Sequence, residues 1–151
     1  MLQARDIMTK EVITVAPQMS ILDLARLLID KKINGAPVVD DAGNLVGVVT
    51  QSDLIDRVRK FELPPVLTIL DAHFYLERPG TFKKNLEKML GSQVADLMTS
   101  PAITISPDLP VDEVAAIMAH KKVHTLPVVE DNRLVGIIGK IDLIRALARE
   151  A

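Results

Sequence analysis

The chain has 151 residues, 48% of them hydrophobic, a formal net charge of −2 and no cysteine. It is long enough to bury a core without covalent staples. Disulfides and thiolate metal sites are excluded, and the interspersed charges leave no broad positive field for nucleic acid.

No apolar run has the length needed to cross a bilayer. The opening MLQARDIMTKE lacks the apolar centre of a secretion signal, so a cytoplasmic protein with no membrane partner is expected. DIMT at 6–9 precedes a short predicted strand, Val12–Val15, that stops at Pro17. Ser20-x-x-Asp23 reads as a capping box opening a helix. Ile21, Leu24, Ala25 and Leu28 recur on one helical face, and Lys31–Lys32 stand where a helix C-terminus favours cations. A buried strand, Pro37–Val39, comes next. It is followed by a turn at Asp40–Asn44, a second apolar strand at Leu45–Val49, and a helix from about residue 51.

Residues 60–93 break this pattern. They hold Pro64-Pro65, VLTILDAHFY, Arg78-Pro79-Gly80 and a helix-like KKNLEKML ending at Gly91. The stretch is too long for a plain connector, and it carries all the aromatic residues: Phe61, Phe74, Tyr75 and Phe82. Two roles stay open for it, a brace that packs its aromatics on the core or a surface for a dimer or partner. Elsewhere a flat ligand must lie between aliphatic side chains. Readers of single-stranded nucleic acid that stack bases on rings are disfavoured for the same reason.

From residue 94 the first pattern returns. Residues 6–41 align with 96–131 at an offset of 90, and 45–58 with 134–147 at an offset of 89; nineteen of these fifty pairs are identical. DIMT becomes DLMT, APVVD becomes LPVVE, and GVVTQSD (47–53) becomes GIIGKID (136–142). Pro110 suits a first helical turn, Asp112 and Glu113 sit at its positive end, and Val111, Val114, Ala115 and Met118 form the stripe. Strands at Pro127–Val129 and Leu134–Ile138 flank a turn at Glu130–Arg133, and a helix starts at about residue 140. The order is β-α-β-β-α, twice. Unbroken apolar strands need cover on both faces, which predicts an α/β fold. Two copies are too few for a solenoid, so each is expected to bury its apolar face against the other about a pseudo-twofold axis. The expected organisation is a repeat over 1–59, an insert of about 30 residues over 60–93, and a repeat over 94–151, together one module.

DIMT/DLMT, the PVV strands and the doubled G-h-h-x-x-x-D before a helix resemble tandem cystathionine-β-synthase (CBS) domains. The resemblance runs from Asp6 to about Arg59 and from Val94 to about Leu147, departing from the family pattern at Gly139. It implies a regulatory module with two clefts between the repeats for adenosine-containing ligands: AMP, ADP, ATP or S-adenosylmethionine. No obligatory cofactor is implied. The motif aspartate is implied to hold the ribose hydroxyls, and the Ser/Thr three residues earlier to help with ribose or phosphate. Residues before the P-V strand of the other repeat are implied to approach phosphate, and the first strand's main chain to meet adenine. Carried over, one cleft comprises Thr14, Val15, Thr50, Asp53, Lys122, His124 and Thr125. The other comprises Asn34, Gly35, Thr104, Ile105, Gly139 and Asp142. The chain is similar to stand-alone members of the family, so a homodimer with a separate, unidentified effector protein is expected.

Physical chemistry supports part of this reading and offers alternatives to the rest. A carboxylate can accept from both vicinal hydroxyls of a ribose, and a helix N-terminus favours phosphate. Thr50-x-x-Asp53 reads equally well as a capping box. Glycine is tolerated at an N-cap at a cost of a few tenths of a kcal/mol, so Gly139 removes a cleft hydroxyl and keeps the helix. Thr125 stands where phosphate-holding relatives carry arginine, so a bidentate fork is missing. His124 reads as a ligand contact or as a satisfied structural histidine. The lysine pairs 31–32 and 121–122 read as solvated helix ends or phosphate contacts. On this accounting the Asp53 cleft is the better equipped. His73, in the insert, has no partner to work with. No nucleophile–base arrangement, HExxH, phosphate loop or metal set stands out, so no enzymatic activity is expected. Two other functions stand beside the sensor: a structural dimerisation or interaction module with vestigial clefts and, more weakly, nucleic-acid binding. The stripes Leu54/Ile55/Val58 and Leu143/Ile144/Leu147 suit a face for a second module.

Overall fold

The computed structural model describes residues 1–60 and 79–150. The first repeat runs through helix α1 (Ala4–Ile7), helix α2 (Ile21–Asp30), strand β1 (Gly35–Val39), strand β2 (Leu45–Thr50) and helix α3 (Gln51–Lys60). Helix α4 (Pro79–Leu90) then leads into the second repeat. That repeat has helix α5 (Val94–Leu97), helix α6 (Val111–Lys121), strand β3 (Thr125–Glu130), strand β4 (Arg133–Gly139) and helix α7 (Lys140–Glu150). Residues 61–78, with Phe61, Phe74, Tyr75 and His73, lie outside the described residues. The expected KKNLEKML helix falls within α4, which begins at Pro79, where a preset φ suits a first turn.

Each β hairpin is antiparallel, β1 with β2 and β3 with β4. The PVV motif follows from their geometry. Val48, opposite Pro37, turns its N–H and C=O away from β1 and exchanges both with Thr99, at 3.1 and 2.8 Å. On the other side Val15 uses the Pro37 carbonyl and the Val39 N–H, at 3.0 and 2.9 Å. No neighbour asks Pro37 for the N–H that proline lacks, so a proline sits at the centre of a sheet. Pro127 repeats the arrangement with Ile105 and Val129.

The expected strand Val12–Val15 shrinks to one bridging residue. Val15 pairs with Val38, and Ile105 with Val128, both in parallel. Val12–Thr14 stay irregular despite their β-branched side chains, because only Val15 reaches a partner backbone. The α6 stripe also shifts. Val114 and Met118 are buried and Ile117 flanks them, while Ala115 is exposed.

The start of each repeat is built into the other one. Thr9 exchanges two backbone hydrogen bonds with Ile137 of β4, as Thr99 does with Val48 of β2. Ala4 is buried in the core formed by Ile105, Val114, Met118, Leu126, Val128 and Ile138. Val94 joins Val15, Leu24, Leu28, Ala36, Val38 and Val49. The exchange accounts for the methionine of DIMT and the glycine of GVV. A Cβ on Gly47 would stand 2.8 Å from the Thr99 carbonyl oxygen and 2.9 Å from Met98 Sδ. Gly136 meets Met8 in the same way. Glycine there lets a strand and a crossing segment touch, and burying each Leu or Val in these cores contributes about 1.5–3 kcal/mol.

Candidate functional site

Where the exchanged segments cross, two cavities open between the repeats. The smaller, about 170 Å³, lies at the start of α3. Thr50, Ser52 and Asp53 form one wall, and Lys122, His124 and Thr125, from the end of α6 and the start of β3, form the opposite one. The larger, about 570 Å³, lies at the start of α7. Gly139, Lys140, Asp142 and Arg145 face Lys32, Asn34 and Gly35. Thr125 and Asn34 border both.

Five of the seven residues assigned from the sequence to the Asp53 cleft are brought together: Thr50, Asp53, Lys122, His124 and Thr125. Thr14 and Val15 are not among its walls. Thr14 is exposed and Val15 is sealed in the first core. Their place is taken by Thr99, Ala102 and Ile103, because the crossing segment of the second repeat lies over β2. The Asp142 cleft shows the mirror of this. Asn34, Gly35, Gly139 and Asp142 line it, Thr104 and Ile105 do not, and Thr9, Glu11 and Ile13 supply the wall. Sequence comparison missed these wall residues, although the offset of 90 relates Thr9 to Thr99 and Ile13 to Ile103.

At the entrance of α3 the capping box is formed. Asp53 Oδ2 accepts from Thr50 N at 2.8 Å and from Thr50 Oγ1 at 3.1 Å. At α7 the Asp142 Oδ2 accepts from Gly139 N at 2.7 Å. Both aspartates therefore hold their helix start, and each has a second oxygen. For Asp142 that oxygen, Oδ1, lies 3.7 Å from Arg145 Nη1, one turn along. The corresponding residue on α3 is Asp56, which pairs with Arg59 at 3.6 Å. Burial pushes the Asp53 carboxyl above its ordinary pKa; the Thr50 hydrogen bonds oppose the shift and Asp56 adds to it.

Lys32 and Lys122 share an unusual backbone. Both have φ of 54°, in the left-handed region, Lys32 just past the cap residue of α2 and Lys122 at the cap of α6. Lys32 N donates to the Ile29 carbonyl and Ile33 N to the Leu28 carbonyl, the double bond of a Schellman ending. Glycine is the usual residue at this position. Here a lysine occupies it in both repeats, and each lysine lines a cleft. Among the described residues no group of three or more His, Cys, Asp or Glu is placed to hold a metal. No described helix is long and apolar enough to cross a membrane.

Two α/β repeats with exchanged starts and paired clefts define a tandem-repeat module. The CBS domain family model matches residues 4–60 and 94–149. The chain belongs to the CBS domain family. It is 32% identical to an uncharacterised protein of Methanocaldococcus jannaschii, MJ1426, over 95% of this chain and 89% of the relative. It is 31% identical to the chloroplastic CBS domain-containing protein CBSX2 of Arabidopsis thaliana, matching 87% of this chain and 57% of CBSX2. Among solved structures, CBSX2 in complex with AMP superposes with a TM-score of 0.74, at 28% identity over 99% of this chain and 98% of that one. The CBS domain pair of MJ0100, in complex with 5′-methylthioadenosine and S-adenosyl-L-methionine, gives 0.72 at 29% identity, over 99% and 98%.

Proposed function

We propose that this chain is a regulatory module, not an enzyme, that senses adenosine-containing ligands (AMP, ADP, ATP or S-adenosylmethionine) in the clefts between its two repeats. One observation carries the reading: Asp53, at a helix start in one repeat, shares a cavity with Lys122, His124 and Thr125 of the other. A ribose bound by the carboxylate has its 5′ substituent within the cavity that those groups line. Thr99, Ala102 and Ile103 offer a wall of backbone and small apolar groups for a flat base. Because each cleft takes walls from both repeats, a ligand favours one relative arrangement of them, and differential affinity for two arrangements is what a regulator requires. The AMP bound to CBSX2 and the adenosyl ligands bound to the MJ0100 pair support the ligand class.

The module is proposed to act as a homodimer. Ile141, Ile144 and Leu147 are each more than half exposed on α7, spaced three apart on one face, and Ile55 is its counterpart to Ile144 on α3. Such a stripe suits a second copy, and Ile144→Glu together with Leu147→Glu should leave a monomer in sedimentation.

The test of the ligand reading is mass spectrometry of small molecules released from freshly purified protein, followed by calorimetry with the four ligands. Binding that is lost in Asp53→Ala or Asp142→Ala supports it; no binding at millimolar concentration removes it. A second reading has its own observation. Both aspartates already cap a helix, as a purely structural interaction module with vestigial clefts would require. That reading demands that no adenosine ligand raise the melting temperature.

A further inference from the structure

The two clefts differ most in charge. Three cationic side chains, Lys32, Lys140 and Arg145, line the Asp142 cleft against the carboxylates of Glu11 and Asp142. The Asp53 cleft has Lys122 against Asp53, with His124 as the remaining titratable wall group. At the two helix starts, Lys140 corresponds to Gln51 and Arg145 to Asp56. Gln51 turns its amide to the Ile33 carbonyl at 3.2 Å. Arg145 Nη1 lies 3.7 Å from Asp142 Oδ1, and its side chain is 64% exposed, so it can turn to an incoming anion. Lys32 is held at the cavity wall in the left-handed conformation that glycine would occupy with less strain. A residue kept in such a conformation at a cleft is a reason to look for a ligand. The larger volume, about 570 against 170 Å³, leaves room for a chain of phosphates beyond a nucleoside.

We infer that the clefts sort adenosine ligands by charge, the Asp142 cleft taking a nucleoside di- or triphosphate with Lys32, Lys140 and Arg145 around the phosphate chain. The Asp53 cleft, with one lysine and Asp56 close by, takes an adenosyl ligand with one phosphate or none. This rests on the adenosine reading above. Multiple phosphates on several cations give a strong, salt-sensitive attraction, and a single phosphate forfeits most of it.

Calorimetry on full-length protein carrying Asp53→Ala isolates the Asp142 cleft. Ser52→Trp, which fills the smaller cavity, is a second way to isolate it. ATP should bind at least tenfold more tightly than AMP, and sodium tripolyphosphate should compete with ATP. Adding Lys32→Gly, which suits the left-handed backbone, or Arg145→Gln should cut ATP affinity at least tenfold and change AMP affinity less than threefold. ATP and AMP affinities within threefold of each other, or equal losses for both in Lys32→Gly, overturn the inference and leave the adenosine reading standing. Binding of tripolyphosphate with no adenosine compound binding would remove the adenosine reading and this inference with it.

Discussion

At the start of α3, Asp53 Oδ2 receives hydrogen bonds from both the backbone and the hydroxyl of Thr50, at 2.8 and 3.1 Å. At the start of α7, Asp142 Oδ2 receives one, from the Gly139 backbone at 2.7 Å. The bond common to both is the backbone one, so the helix start depends on the aspartate and on no particular residue three positions earlier. That frees residues 50 and 139, and the next-turn residues Asp56 and Arg145, to vary without loss of the helix start. Gene duplication of a repeat preserves the fold element and leaves the cleft chemistry free to diverge.

The sharpest way to test this separation is to remove each aspartate. A hydrogen bond to a charged group contributes about 1.5–3 kcal/mol, so Asp53→Ala and Asp142→Ala should each weaken ligand binding in their own cleft by about 10- to 150-fold. Their effects on the ligand-free fold should differ. Asp142 is 8% exposed and paired with Arg145, whereas burial, with Asp56 adding to it, disfavours the charged form of Asp53. Thermal melts should therefore show the larger loss for Asp142→Ala. Equal losses would mean that the corners are equivalent.

The two repeats also differ where they meet. Gly35 corresponds to Thr125, and a Cβ on Gly35 would stand 2.8 Å from Thr50 Cγ2 and 2.9 Å from both Thr125 Oγ1 and the Val49 carbonyl oxygen. Thr125 fits only because Gly35 gives way. Gly35→Ala should lower stability by about 1–3 kcal/mol through overpacking, read as a fall in the urea midpoint. The same change at Gly139, where the nearest atom is 3.7 Å away, should not. Comparable losses at both positions would remove the asymmetry.

The repeat, the α-β-β-α order of its larger elements and the corner at each aspartate were legible in the sequence, because hydrophobic spacing, capping residues and an offset of 90 are local or one-dimensional signals; the opening helices α1 and α5, and the reduction of the first strand to one bridge, were not. Nor were the exchanged starts. Nothing in DIMT says that Met8 will rest on Gly136, or that Thr9 will bond to Ile137, 128 positions away. The resemblance points to Thr14 and Val15 for the Asp53 cleft, and the exchange puts Thr99 and Ile103 there instead. Lys140 and Arg145 stand opposite Gln51 and Asp56 in the aligned repeats and were not singled out from the sequence. Their bearing on the cleft depended on which helical face meets it, and that required the packing.

Restoring the lost hydroxyl is a gentler intervention. Gly139→Thr meets ordinary van der Waals space, with Asp142 Oδ2 3.8 Å from the new Cβ. Replacing glycine where the native backbone tolerates a side chain stabilises by about 0.4–1 kcal/mol, so the melting temperature should rise. The variant should also shift the Asp142 cleft towards the ligand preference of the Asp53 cleft in calorimetry. A fall in stability would show that residue 139 must be glycine for the fold.

The smallest expected effect concerns the charge on Asp53. Its folded-state pKa lies above the ordinary value of 3.8, so between the unfolded and folded values the native protein binds more protons than the unfolded chain. The slope of stability with pH is then negative, and ionising Asp53 costs stability as pH rises through that window. Asp40 behaves oppositely. Hydrogen bonds led by the Asn44 backbone N–H lower its pKa, and the stability it adds is lost only at pH values below the ordinary range. Asp53→Asn keeps an acceptor for the Thr50 N–H and cannot ionise. The variant should thus lose less stability than the wild type as pH rises out of the ordinary carboxylate range, while differing from it by no more than about 0.5 kcal/mol at neutral pH. Denaturant midpoints at a series of pH values measure this difference, and curves that run parallel would show that the carboxylate is at ease in the empty cleft. If they diverge as expected, hydrogen bonds from a bound ribose would relieve the cost at Asp53. At Asp142, where Arg145 already balances the charge, there is less to relieve.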